Sequence, residues 1–230
     1  MSVHIHADPA ALAGAAADHI AAFVTAAARD VTLGLAGGST PAATYEQLAA
    51  RDVDWSQVTI WLGDERWVPH DHPDSNTRMV RATLVDKVIG RFVAPNTAFG
   101  DPADAAESYA AQLEKIFYGG TPDLVLLGIG DDGHTASLFP GTDALTAEEG
   151  IYLANWVEAQ DGWRLTASLP LLWSAREVVF LAQGESKAGV LSEIIEENYP
   201  YPAEQVAAGA DVVHWMIDEA AASQLRSIPR

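Results

Sequence analysis

Short runs of branched and apolar residues recur at 31–36, 58–62, 124–127, 177–181 and 211–216, each giving way to turn residues before a helical or polar stretch begins. This alternation constrains the fold more than any other feature. Strands separated by helices pair in parallel, because a right-handed crossover carries the chain back over the sheet. The runs are apolar on both faces, so both faces of the sheet must be covered. The expected architecture is an α/β fold in three layers, a mostly parallel sheet with helices on both faces.

The helices announce themselves locally. Asp8-Pro9 and Asp101-Pro102 each read as an N-cap followed by proline at the first helical position. Leu12, Ala16, Ile20, Phe23 and Ala27 put one apolar stripe on the first helix. Ala106, Tyr109, Leu113 and Phe117 do the same on the second, which the Gly119-Gly120 pair should stop. Further helices are expected through Tyr45 and Leu48, through Met79 and Leu84, through Leu191, Ile194 and Ile195, and from near Asp218. Segments 3–5, 151–157 and 164–169 read as strands, and 199–203, with two prolines, as a surface loop. With 230 residues and no repeat or linker, a single domain over 1–230 is expected.

Charge narrows the partners. Thirteen Lys+Arg stand against 32 Asp+Glu, a formal net of −19. Such a surface repels nucleic acid and anionic membrane, so neither is an expected partner. It also repels small anions, so a phosphate substrate would need the few cations gathered at its site. The lysines are only Lys87, Lys115 and Lys187. No window stands out as apolar enough to span a bilayer, and the N-terminus does not read as a signal peptide. Without cysteine there is no thiol nucleophile, disulfide framework or thiolate metal site. The expected location is the cytoplasm.

The densest chemistry lies in 123–140, DLVLLGIGDDGHTASLFP. Its GIGDDG matches the dinucleotide pattern G-x-G-x-x-G, but Asp131 and Asp132 would face the pyrophosphate with two negative charges. The acid expected about twenty residues on would fall at Glu148 and Glu149, before a strand. His134 follows a strand end and a glycine turn, and its ordinary pKa suits a general base. Asp132, two residues earlier, is placed to orient it. The bland alternative, a histidine satisfying a local backbone group, fits the adjoining glycines and acids less well.

LAGGSTP, at 35–41, reads as strand, small-residue turn and helix start. Gly37 and Gly38 let a ligand approach the backbone, Ser39 and Thr40 offer hydroxyls, and the helix start favours an anion. A tight turn capped by Thr40 explains the same residues equally well. Asp64, Glu65 and Arg66 follow another strand end and should face the same crevice, unless they form a solvated, ion-paired loop. Arg78 and Lys187 sit in first helical turns, where a cation opposes the dipole and a bound anion would account for it. An ion pair with Asp64 or Asp74 would serve Arg78 as well, and Lys187 also suits a plain surface position. Arg164 opens a strand and can point into the crevice. His70, Asp71, His72 and Asp74 read as a solvated loop and not a metal site, for lack of a closed ligand set. His4, His6, His19 and His214 suggest nothing specific. The tryptophans read mostly as core or pocket wall.

Together, LAGGSTP, GDERWVP at 63–69, SNTRMV at 75–80, LLGIGDDGHTASLFP at 126–140, RLTASLP at 164–170 and GESKAGVL at 184–191 resemble the 6-phosphogluconolactonase family. That family shares a superfamily with glucosamine-6-phosphate deaminases and ribose-5-phosphate isomerases. The resemblance implies a Rossmann-like fold, no cofactor, and hydrolysis of 6-phospho-D-glucono-1,5-lactone to 6-phosphogluconate. It places His134 on the family's proposed base and Asp132 on that base's neighbour. Gly38, Ser39 and Thr40 fall on the substrate-phosphate loop, Arg78 and Lys187 on conserved cations, and Arg164 on the basic residue of the RxT segment. The implied partner is a sugar-phosphate lactone, bound by a monomer or, alternatively, a dimer. A deaminase shares the DE pair and the DGH turn, but carries glutamate next to the proline where this chain has Phe139. A binding protein that keeps the pocket without the chemistry is the other alternative. Two features depart from the lactonase pattern. VEAQDGW before Arg164 lacks the usual Lys-Pro-Pro-like lead, and 199–210 is untypical.

Overall fold

The structure is a computed structural model and describes residues 1–27, 29–98, 100–117 and 120–226. Along the chain the elements are β1 (Ser2–His6), α1 (Pro9–Ala26), β2 (Val31–Leu35), α2 (Ser39–Leu48), β3 (Val58–Leu62), β4 (Asp64–Arg66), α3 (Asn76–Thr83), β5 (Arg91–Val93) and α4 (Pro102–Ile116). They continue with β6 (Leu124–Leu127), β7 (Tyr152–Val157), β8 (Gly162–Ala167), α5 (Leu169–Ser174), β9 (Glu177–Ala182), α6 (Ala188–Ile195), α7 (Pro202–Gly209) and β10 (Val213–Asp218).

Seven strands form one sheet in the order β1-β10-β9-β6-β2-β3-β5. Every neighbouring pair in it is parallel. The central strand β6 shows why its sequence reads as an unbroken apolar run. Leu124 and Leu126 face a core with residues of α1, α2 and α3, whereas Val125 and Leu127 face a core with residues of α4, α5, α6 and α7. Both faces are covered, which is the expected three-layer α/β architecture.

The proline-started helices form as read. Asp8 accepts from the Ala11 N–H at 2.8 Å, and Asp101 from the Ala103 N–H at 2.7 Å. On α1 the buried stripe is Leu12, Ala13, Ala16, Ala17, Ile20 and Val24, leaving Phe23 at its margin. By length and mean hydropathy, 1.2, α1 reaches the threshold for a membrane span, contrary to expectation. Alanine raises that mean, while the larger apolar side chains pack on the sheet. Helix α4 ends at Ile116, before the expected glycine stop, and Gly119 lies outside the described residues.

Several segments differ from expectation. The strands at 152–157 and 162–167 do not join the main sheet. They form a separate antiparallel sheet, β4-β8-β7, which is tied to the end of β3 by the Ala167 N–H on the Gly63 carbonyl at 2.8 Å. The helix expected from Asp218 does not form, and 219–224 are turns. The Asp218 carboxylate instead accepts from the N–H groups of Ala221 and Gly184, at 2.8 and 2.9 Å. Segment 199–203 is a surface loop over 199–201 only: α7 starts at Pro202, and Ala203 is buried. Among the tryptophans, Trp156, Trp163 and Trp173 are substantially exposed.

Candidate active site

The central strands β9, β6 and β2, together with the β3–β4 junction, open at their carboxyl ends onto one cleft of about 300 Å³. This is where an open parallel sheet receives ligands. Each strand contributes the residues just beyond its end. Residues 36–41 follow β2, Asp64 and Arg66 belong to β4, Gly128, Ile129, Gly130 and His134 follow β6, and Lys187 follows β9.

The turn after β6 is built around His134. Its Nδ1 lies 2.6 Å from Asp132 Oδ1, and its own N–H also reaches that oxygen, at 3.2 Å. The turn is closed by the Gly130 N–H on the His134 carbonyl, 2.8 Å, and the Gly133 N–H on the Gly130 carbonyl, 3.1 Å. Burial works against the charge on Asp132, but the charge and hydrogen bonds of His134 outweigh it and hold the carboxyl below its usual range. An ionised Asp132 accepts a hydrogen bond from Nδ1–H, which keeps the proton on Nδ1 and leaves the Nε2 lone pair of His134 free to accept a proton. The other side of the imidazole is packed against Phe139, with ring centroids 4.0 Å apart and planes 22° from parallel. Ala136, also in the lining, has φ 48°, a strained left-handed conformation two residues after His134.

Facing this turn is the start of α2. Gly38 is its N-cap, and no side chain caps it. The N–H groups of Ser39 and Thr40 therefore join the helix dipole as an unclaimed donor set, flanked by two hydroxyls. Gly37 is required by a close approach: a Cβ there would lie 1.9 Å from Asn76 Oδ1. Asn76 in turn donates through Nδ2 to the Asp64 carbonyl at 2.9 Å and to Asp64 Oδ1 at 3.1 Å. Ser137 donates to Asp64 Oδ2 at 2.7 Å. Asp64 is thus a buried tie between α3 and the segment that follows His134, and it also lines the cleft.

Gly37, Gly38, Ser39, Thr40, Asp64, Arg66, His134 and Lys187 all line the cleft, and Asp132 joins through His134. Lys187 Nζ rests 2.6 Å from Asp131 Oδ1. Arg66 donates to the Asp74 carbonyl at 2.5 Å. Arg164 lies directly across the small sheet from Arg66, and outside the cleft lining. Burial, and then the like charge of Arg66, lowers its pKa from the usual arginine value. Arg78 is exposed in the first turn of α3 and also lies outside the lining.

Glu65 does not face the crevice. It is fully buried and accepts from the N–H groups of Asn76 and Thr77, both at 2.7 Å, and from Ser75 Oγ at 3.1 Å, so it anchors the start of α3. Sequence reasoning also missed Asn76, Ser137 and Tyr201. The Tyr201 ring covers Gly133, and the Ala203 N–H donates to the Gly133 carbonyl at 3.0 Å, so the untypical tail braces the His134 turn. In the polar loop, His70 bonds the Pro95 carbonyl at 2.8 Å and His72 pairs with Asp74 at 3.6 Å.

A family model described as glucosamine-6-phosphate isomerases/6-phosphogluconolactonase matches residues 7–215. The chain is 40% identical to a 6-phosphogluconolactonase of Synechocystis over 206 residues, covering 85% of each chain. It is 39% identical to a Rattus norvegicus protein of the same name, covering 86% of this chain and 81% of that one. A solved 6-phosphogluconolactonase from Trypanosoma cruzi superposes with TM-score 0.88 at 26% identity, covering 97% of this chain and 96% of that one.

Proposed function

Because the chain belongs to the glucosamine-6-phosphate isomerase/6-phosphogluconolactonase family, we propose that it hydrolyses 6-phospho-D-glucono-1,5-lactone to 6-phospho-D-gluconate, the second step of the oxidative pentose phosphate pathway. The observation that carries this reading is the His134–Asp132 pair, held at 2.6 Å in the same cleft as the uncapped start of α2. One end of the cleft offers a base and the other an anion site, which a phosphorylated lactone needs together.

His134 Nε2 takes a proton from a water as its oxygen attacks the lactone carbonyl C1. Asp132 keeps Nδ1 protonated and stabilises the imidazolium. Negative charge grows on the C1 oxygen. The N–H groups of Gly130 and Gly133 are engaged within the turn, so Arg66, in the lining, is the donor assigned to that oxygen. The C1–ring oxygen bond then breaks, and the ring oxygen takes the proton back from His134. Water is the only co-reactant, and the chemistry calls for no cofactor. The 6-phosphate is assigned to Ser39, Thr40 and the α2 start, with Lys187 exchanging Asp131 for it and Arg78 closing from outside. Binding there holds the lactone against the base, so remote contacts contribute to the rate. Soluble sugar phosphates as substrate and product suit a cytoplasmic enzyme.

The test is a coupled assay in which glucose-6-phosphate dehydrogenase supplies the lactone and its decay is timed with and without the protein. Decay should accelerate well above the spontaneous rate, and His134→Ala should lose about 10²–10⁴ of that acceleration. No acceleration by the wild-type protein would remove the lactonase reading, and full activity in His134→Ala would remove the base. Ammonia released from glucosamine 6-phosphate would point to the deaminase branch instead. Phe139 opposes that outcome, because it occupies the glutamate position and has no proton to transfer.

A further inference from the structure

A second cluster of reactive side chains lies at the amino-terminal edge of the main sheet, the edge opposite the cleft. His19 comes from α1, Glu177 is the first residue of β9, and His214 is the second of β10. His214 pairs in register with Val179, so Glu177, two residues before Val179, shares its face of the sheet. Helix α1 packs on that face. His19 Nε2 is in hydrogen-bond contact with Glu177 Oε1, and His214 Nε2 lies 3.6 Å from the same oxygen. One ligand-type atom from each of the three residues lies within 4.8 Å of the other two.

The surroundings orient these atoms. His214 Nδ1 is 2.7 Å from Ser2 Oγ, which is 2.9 Å from His4 Nε2. With Nδ1–H donating to Ser2 and Ser2 donating to His4, the Nε2 lone pair of His214 faces Glu177. An outer hydrogen bond of this kind aims a metal-binding imidazole and selects its tautomer. Arg176, adjacent to Glu177 in the chain, is paired with Asp123. Glu177 is 13% exposed at its side chain, against 31% for His19 and 23% for His214, so an ion can enter but its charge is only partly screened.

We propose that His19 Nε2, His214 Nε2 and Glu177 form a binding site for a divalent transition ion of the zinc class, separate from the catalytic cleft. Two imidazoles and a carboxylate are a zinc-type donor set with a fourth position for water. The set has too few oxygens for calcium or magnesium. Ligands about 2.0–2.1 Å from a tetrahedral ion lie about 3.3 Å apart, a separation close to the 3.6 Å between His214 and Glu177. His19, 31% exposed at its side chain, would shift its rotamer to complete it. The site bridges α1 to β9 and β10, so an occupied site would pin that helix to the sheet. It does not depend on the lactonase reading.

The test uses the full chain, stripped with a chelator and melted with and without zinc or magnesium chloride, with cobalt(II) as a spectroscopic probe. One equivalent of cobalt should give the visible absorption of a four-coordinate ion. Zinc at a hundredfold excess over its Kd should raise Tm by about 5–10 °C, and magnesium should not. His19→Gln and Glu177→Gln should each abolish both signals, while His72→Gln and His134→Asn keep them. The metal-free Tm of each variant reports whether it folds. Wild-type protein with neither signal overturns the proposal. So does a signal that survives in a folded His19→Gln or Glu177→Gln variant, or one lost in His72→Gln or His134→Asn.

Discussion

The sharpest test of the active-site reading is Gly130→Ala, which touches neither member of the catalytic pair chemically. A Cβ on Gly130 would fall 2.1 Å from His134 Nδ1 and 2.6 Å from Asp132 Oδ1. Carbon cannot approach so closely, so one methyl group must push apart side chains that now sit 2.6 Å from each other. Gly130 is not among the glycines at positive φ, so alanine adopts its backbone without strain. The turn's hydrogen bonds run through peptide groups that alanine keeps. Overpacking of this kind costs about 1–3 kcal/mol. The His134 and Asp132 side chains are 30% and 51% exposed and can swing outward, which puts the cost at the lower end. The catalytic loss should be larger. Without an oriented base the rate should fall by about 10²–10⁴, or about 2.7–5.4 kcal/mol of transition-state stabilisation at 1.36 kcal/mol per tenfold. The proposed phosphate contacts, the turn at 37–40 and Lys187, are untouched, so KM should stay within about threefold of wild type. The coupled lactone assay measures both constants, and a thermal melt measures the stability. A Gly130→Ala protein with wild-type kcat would refute the requirement for the His134–Asp132 contact.

Two further outcomes follow from charge. Lys187→Ala removes the cation that now pairs with Asp131; if that cation moves to the substrate phosphate as proposed, kcat/KM on the phosphorylated lactone should fall about tenfold, near the low end for a charge-assisted bond. Turnover of unphosphorylated glucono-1,5-lactone should be unaffected, and an equal loss on both lactones would contradict the assignment. Asp132 has a folded pKa below its ordinary 3.8, because His134 outweighs the opposing effect of burial. As pH falls the unfolded chain takes up that proton first, so the stability this carboxylate contributes is fully present above about 3.8 and lost as pH falls through the folded value. The Tm difference between wild type and Asp132→Asn should therefore be constant near neutrality and close in acid; a gap that widens in acid would reverse the sign.

What the sequence carries legibly is local. A strand, its glycine turn and the next helix start are contiguous, so residues 35–41 and 124–134 could be read with their chemistry attached, and the structure brings both to one cleft. Glu65 was within reach of the same reasoning. Alternate residues of a strand point to opposite sides, so once Asp64 and Arg66 face the cleft, Glu65 must face away, toward the start of α3. Strands β4 and β5 have three residues each, too few to show a period. The helix expected from Asp218 failed because that carboxylate is shared with Gly184, 34 residues distant. The histidine cluster was illegible for the same reason on a larger scale. His19 and His214 meet only because α1 crosses over a sheet in which β10, last in the chain, pairs with β1.

The position before Pro140 shows how one fold in this family can hold different reactions. Phe139 lies in stacking contact with His134, so whatever side chain stands there acts directly on the imidazole proposed as the base. A glutamate at that point would bring a second carboxylate to the imidazole, able to hold or pass a proton and to raise the proton affinity of the ring. A phenyl group does neither. It closes one face of the ring with apolar surface and leaves Asp132, on Nδ1, as the carboxylate that sets its tautomer. A base arranged in this way takes one proton from water and returns it to a leaving oxygen, which is all that lactone hydrolysis asks. Ring opening and isomerisation of an aminosugar need a proton moved between more than one pair of atoms. The strands, the turn at 35–41 and the cleft can serve either chemistry, so on the proposed mechanism the choice between them falls to the side chain that touches His134.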